Sequence, residues 1–282
     1  MNGRRRWLVV ALALQIGLMA WGIPQAFCAG ASLPEGPVSA RIAVATNFAQ
    51  TAKDIAKAFQ EEHATRIEII NGSTGKLYAQ IQNGAPFDAF FAADANRPQL
   101  LEAQGKIIEG SRFTYALGTL VLWSPQATLI DDGPHVLGQG RFARLSLANP
   151  KLAPYGLAAQ EVLEGLGLWD RLQGKIVIGQ NIGQAYQFVH TANAELGFVA
   201  LSQLQDPNDP NKPIAGSCWK VPPSMHKPIE QQAVRLNDNP AAEAFIEFLR
   251  TDKGRKIIEA YGYSVPRPKA KTESESGQED LP

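Results

Sequence analysis

The sequence predicts an α/β protein of two lobes joined by two crossing strands. Two observations carry this. Four short apolar runs are each followed by a small polar junction and an apolar face at helical spacing, and two of these units lie on either side of the apolar run Phe113–Trp123. A second strand candidate, Gln231–Leu236, lies near the end of the chain, so the chain can cross between lobes twice.

In the first unit, Arg41–Ala45 reads as a strand, and Phe48, Ala52, Ile55 and Phe59 form a helix face. Asn47 is a candidate N-cap, with Gln50 three residues on as the capping-box partner. The second unit runs from the strand Ile67–Ile70 through Ser73-Thr74-Gly75 to a helix face begun by Leu77 and Ile81. In the third, Leu145–Ala148 leads through Asn149–Gly156 to Leu157, Val162 and Leu166, with Pro154 suited to a first helical turn. In the fourth, Lys175–Ile178 leads to Ile182, Ala185, Phe188 and Val189, with Asn181 as cap and Gln184 in the box position.

The apolar run Phe113–Trp123 reads as one long strand that leaves the first lobe near Tyr115, and the chain returns near Gln232. A helix follows at Ala241, Ala244, Phe245, Phe248 and Leu249. The predicted division is a leader over residues 1–31, a first lobe of 38–115 and 232–266, a second lobe of 116–231, and a disordered tail over 267–282. Two crossing strands of this kind form a hinge. The turn-rich stretch Asp206–Pro213 reads as a surface loop.

Composition narrows the function. Lys plus Arg (27) balance Asp plus Glu (27), so no net charge draws the chain to nucleic acid, and any anion has to be met locally. Arg4-Arg5-Arg6, the apolar stretch Trp7–Ile23, Pro24 and the small residues Ala29 and Ala31 read as a cleavable secretory signal peptide, which directs the chain to the periplasm. Gln25-Ala26-Phe27 before Cys28 is a poor match to a lipid-anchor signal, and the twin-arginine match at Arg4–Leu8 is loose. With the leader removed, Cys218 is the one cysteine, so neither a disulfide nor a cysteine metal cluster is expected. His63, His135, His190 and His226 are scattered without zinc-site spacing.

The junction Gly72-Ser-Thr-Gly-Lys76 invites a nucleotide reading, which fails. A phosphate-binding loop needs glycine at position 70 and Ser or Thr at 77, and the chain has Ile70 and Leu77. A helix start nonetheless offers unpaired N–H groups and the positive end of the helix dipole, so converging starts attract an anion without a full positive charge. Taken singly, Asn47, Ser73 and Asn181 need do no more than cap their own helices. Four such junctions in one chain shift the balance toward a ligand site.

The segments AVATNF, NGSTGKLYAQIQNGAPFDAFFAAD, GSRFTYALGTLVLWS, LANPKLAPYGLAAQEVL and LGFVAL together resemble the periplasmic molybdate-binding proteins of ABC transporters, from about Ala40 to about Pro266. The resemblance implies a type II periplasmic-binding-protein fold that closes on molybdate or tungstate and delivers it to a membrane permease. It implies neither catalysis nor a cofactor. Motif by motif, it places ligand contacts at Thr46 and Asn47, at Ser73, at the backbone of Tyr155 in the APYG motif, and at the backbone of Ile182 in the NxGQA junction. Thr74 stands where many relatives carry a second serine, and Ile182 where valine is common.

No arginine lies in these junctions, so neutral donors would select an oxyanion by cage size and bond direction. Lys76 is expected to face solvent, Asp88 and Asp94 to be structural, and Tyr155 and Tyr186 to use their rings for packing. Two rival readings stay open from the residues alone: a receptor for another oxyanion such as sulfate or thiosulfate, and an exported serine hydrolase. The hydrolase is the weaker, because Ser73 lies in no G-x-S-x-G elbow and no histidine is evidently placed to activate it. A monomer is the expected state.

Overall fold

The computed structural model describes residues 39–131 and 133–266. The expected signal peptide, with Cys28, and the expected tail lie outside the described residues.

Among the described residues, ten strands form two five-stranded sheets. The strands are β1 (Ala40–Ala45), β2 (Ile67–Gly72), β3 (Ala89–Phe91), β4 (Phe113–Gly118), β5 (Leu120–Ser124), β6 (Leu145–Ala148), β7 (Ile176–Gly179), β8 (Leu196–Ala200), β9 (Ser217–Lys220) and β10 (Ile229–Arg235). The first sheet has the order β2-β1-β3-β10-β4, and the second β7-β6-β8-β5-β9. In the first, β1 pairs in parallel with β2 and β3, while β10 runs antiparallel to β3 and β4. In the second, β6 is parallel to β7 and β8, and β5 is antiparallel to β8 and β9. The helices are α1 (Ala49–Glu62), α2 (Thr74–Gln82), α3 (Asn96–Ala103), α4 (His135–Gln139), α5 (Pro154–Gly165), α6 (Trp169–Leu172), α7 (Ile182–His190), α8 (Pro240–Arg250) and α9 (Asp252–Ala260).

The run Phe113–Trp123, read as a single strand, is two. It breaks at Thr119, β4 staying in the first sheet and β5 entering the second. Thr119 supplies its carbonyl to Leu201 N instead of to a sheet partner, which marks the change of direction. The chain returns between Lys220 and Ile229, and Ile229 pairs with Gly118, so the two crossings lie side by side. This is a two-lobed α/β fold with a double-stranded hinge.

Each sheet is buried by the helix faces the periodicity predicts. Phe48, Ala52, Ile55 and Phe59 are all essentially inaccessible and pack with Phe91, Phe245 and Phe248. Each large side chain buried there contributes about 1.5–3 kcal/mol. Two faces are displaced from their expected positions. In α5, Leu157 is exposed, and Ala158, Ala159, Val162 and Leu163 form the buried stripe; in α8, Ala244 is exposed, and Ala242 and Ile246 are buried. Among the described residues, no helix is long and apolar enough to cross a membrane.

Candidate functional site

The carboxyl ends of β1, β2, β6 and β7 each pass into a helical segment, as ligand-binding edges of α/β sheets do. Those four junctions share one pocket. Its lining is Ala45, Thr46, Asn47, Gly72, Ser73, Thr74 and Ala93 from the first lobe, with Ala153, Pro154, Tyr155, Asn181 and Ile182 from the second. All five ligand-contact residues that the resemblance implies, Thr46, Asn47, Ser73, Tyr155 and Ile182, are therefore brought together.

Local chemistry builds three of the starts as expected. Ser73 Oγ accepts from Lys76 N at 3.4 Å, a long cap for α2. Asn181 Oδ1 accepts from Gln184 N at 2.9 Å and caps α7 as expected, but the capping box is not closed, because the Gln184 side chain accepts from Gln180 N, at 2.6 Å, instead of from Asn181 N. Pro154 opens α5, where its missing N–H costs nothing, and Tyr155 and Gly156 follow it in the first turn. Tyr155, Ile182 and Thr74 sit where helix N–H groups have no partner inside their own helix.

The first start departs from expectation. Asn47 caps no helix, because Thr46–Phe48 is a 3-10 turn leading into α1, and no side chain caps either segment. Its amide Nδ2 instead donates to Gln231 Oε1 at 2.7 Å and to Tyr263 Oη at 3.1 Å. Gln50 completes no capping box; it donates to Asp54. The physical reason is tertiary: a buried amide is worth more hydrogen-bonded to distant partners than left on a helix end that its own 3-10 turn already tightens.

The pocket wall carries no charged side chain. Thr46 Oγ1 is buried without a hydrogen-bond partner. The Thr74 hydroxyl oxygen accepts from Ala93 N at 3.1 Å. About 10 Å³ of the pocket is open to the centre of a water molecule, close to the ~10–15 Å³ that one water needs.

Several contacts fasten the lobes around this space. Gly75 N donates to Leu152 O at 2.9 Å, and Ser202 Oγ donates to Asn47 O at 3.0 Å. Arg97, ion-paired with Asp94, also reaches across to Lys151 O at 3.2 Å. Gly183 lies so close to Thr46 that an added Cβ would sit 2.5 Å from Thr46 Cγ2. Gln231, Ser202, Tyr263, Arg97 and Gly183 were not singled out in the sequence, since each owes its place to a partner distant in the chain.

The remaining candidates fall elsewhere. Lys76 is exposed. Asp88 accepts from Arg41 N and Asn237 Nδ2, and Asp94 accepts from Arg97 N and pairs with its guanidinium, so the two carboxylates have separate structural partners. Tyr186 stacks between Trp123 and His190. Burial holds the Tyr155 hydroxyl well above its ordinary pKa, and it stays protonated. Among the described residues, no three His, Cys, Asp or Glu side chains converge to hold a metal ion. A roomier groove of about 480 Å³ lies beside β4, but its cations are engaged: Arg250 with Glu247 and the Phe113 ring, Arg255 with the carbonyls of Arg250 and Pro266.

Helix starts from both lobes facing one cleft define a two-lobed binding protein. The family model described as bacterial extracellular solute-binding protein matches residues 40–264, and the chain belongs to that family. It is 49% identical to the molybdate-binding protein ModA of Azotobacter vinelandii over 80% of this chain and 89% of the relative. It is 41% identical to ModA of Rhodobacter capsulatus over 87% of this chain and 96% of the relative. Among solved structures, the periplasmic molybdate-binding protein of Azotobacter vinelandii superposes with a TM-score of 0.78 at 40% identity, covering 81% of this chain and all of that one.

Proposed function

We propose that this chain is an exported receptor that captures molybdate or tungstate in the cleft between its lobes and delivers the oxyanion to an ABC transporter permease. It acts as a monomer, without catalysis or cofactor, in the periplasm. The relatives named for molybdate binding support the substrate class.

The observation that carries the reading is the Thr46 hydroxyl, buried and unpartnered in a pocket of neutral donors. Thr46 Oγ1, Ser73 Oγ and the N–H groups of Tyr155 and Ile182 would bind the anion, and Asn47 would contribute its backbone while its side chain holds the wall in place. An oxyanion that fills the cage satisfies every donor; a smaller one leaves some unreached, at about 1–3 kcal/mol each. On that basis sulfate, with shorter bonds, binds weakly. Phosphate, partly protonated near neutrality, presents a donor to a wall that carries no carboxylate.

Calorimetric titration of the ligand-stripped protein with molybdate, tungstate, sulfate and phosphate tests this. Sub-micromolar molybdate or tungstate binding with weak sulfate binding is the expected result. Heat from sulfate alone would move the assignment to the sulfate reading, and no heat from any of the four would remove the oxyanion reading.

A further inference from the structure

Gly118 ends β4 at the point where the chain leaves the first lobe, paired with Ile229 at the start of the returning strand. Its φ is not among the positive values, so its backbone is open to any residue. Space is what forbids a side chain there. A Cβ at 118 would lie 2.2 Å from Tyr155 Oη, 2.9 Å from Tyr155 Cζ and 2.9 Å from Gln231 Nε2. Tyr155 comes from the second lobe, opening α5 in the pocket wall, while its ring runs back to the hinge. Its hydroxyl and Gln231 Nε2 are both buried. Neither of the two atoms has a hydrogen-bond partner. Gln231 Oε1 meanwhile accepts from Asn47 Nδ2 in the first lobe's pocket wall.

We propose that Gly118, Tyr155 and Gln231 form a closure lock: the second lobe reaches the position at which Tyr155 N–H meets the ligand only because glycine at 118 leaves room for the Tyr155 hydroxyl beside Gln231. Tyr155 and Gln231 are thus positioning residues that couple both walls of the pocket to the hinge. The lock rests on the oxyanion-receptor reading for its ligand, but not for its geometry.

The test compares the wild-type protein, Gly118→Ala and the double variant Gly118→Ala/Tyr155→Phe. Molybdate affinity is read by calorimetry, radius of gyration by small-angle scattering with and without molybdate, and folding by thermal melting of the unliganded protein. Overpacking at the hinge is expected to weaken molybdate binding in Gly118→Ala by about 10- to 100-fold and to abolish ligand-induced compaction, while cooperative melting is kept. Removing the hydroxyl in the double variant is expected to restore part of both, a rescue that a simple loss of stability would not show. Wild-type affinity and compaction in Gly118→Ala would overturn the lock, as would a double variant no better than the single one. A wild-type protein that binds no molybdate would overturn the substrate reading instead. In that case crystal structures of the unliganded Gly118→Ala protein still decide the lock: lobes held apart with Tyr155 withdrawn from Gln231 would support it, and an alanine accommodated with the Tyr155 hydroxyl still beside Gln231 would overturn it.

Discussion

Ser202 Oγ donates a hydrogen bond to the backbone oxygen of Asn47 at 3.0 Å, joining the second lobe to the first beside the pocket. The Tyr263 hydroxyl lies 2.8 Å from the same oxygen and 2.9 Å from Ser202 Oγ, and accepts from Asn47 Nδ2. Its single proton serves one of those oxygens at a time, which leaves Ser202 as the donor that keeps the carbonyl paired. Replacing Ser202 by alanine should therefore cost about 0.5–1.5 kcal/mol of stability, since Tyr263 can take over the carbonyl. Tyr263→Phe strips the Asn47 amide of a partner as well, and should cost more. Chemical denaturation of the two variants checks the order; Ser202→Ala as the more damaging change would contradict it.

Thr46→Val should separate binding from stability. The buried Thr46 hydroxyl has no partner, so a near-isosteric apolar side chain removes an unsatisfied group and should leave the unliganded protein at least as stable. Molybdate affinity should fall about 10- to 100-fold through loss of one donor. Melting temperatures with and without molybdate, together with calorimetry, read both effects; a lower unliganded melting temperature would contradict the account.

Ser73→Ala should lose on both counts. The cap to Lys76 N is long at 3.4 Å, so its removal should cost near the lower end of the ~0.5–2 kcal/mol typical of N-caps, while affinity drops about 10- to 100-fold. Full molybdate affinity in this variant, by calorimetry, would show that the Ser73 hydroxyl is not a ligand donor.

Much of this was legible in the sequence, because hydrophobic periodicity and capping chemistry are local. The strand of β1, the face of α1, and the caps Ser73 and Asn181 follow from residues within a turn of one another. Asn47 misled for the same reason. Its neighbours suit a cap, but its amide bonds Gln231 and Tyr263, 184 and 216 residues away. The split of Phe113–Trp123 at Thr119 was hidden because both halves are apolar, as strands buried in two different sheets have to be. The tight approaches at Gly118 and Gly183 exist only once the lobes meet.

Alkaline pH should unfold the protein through its buried phenols. Burial raises the pKa values of Tyr115, Tyr155 and Tyr263 above the ordinary value near 10, and burial followed by the Asp54 hydrogen bond does so for Tyr261. A folded-state pKa raised above the unfolded one means that the folded chain holds protons the unfolded chain releases. The stability these groups contribute is complete below about pH 10 and is lost as pH rises from there through the folded values. Denaturant midpoints should thus show no tyrosine-linked decline between about pH 7 and 9 and should fall above about pH 10. Denaturant midpoints that stay level from about pH 9 to well above pH 10 would contradict this.

The most direct test of the oxyanion cage is a molybdenum-edge anomalous difference map from crystals grown with molybdate. The account predicts one strong peak between the lobes, with its oxygens in hydrogen-bond reach of Thr46 Oγ1, Ser73 Oγ and the backbone N–H groups of Tyr155 and Ile182. A peak in the groove beside β4, or no ordered peak in crystals of protein shown to be loaded, would contradict it.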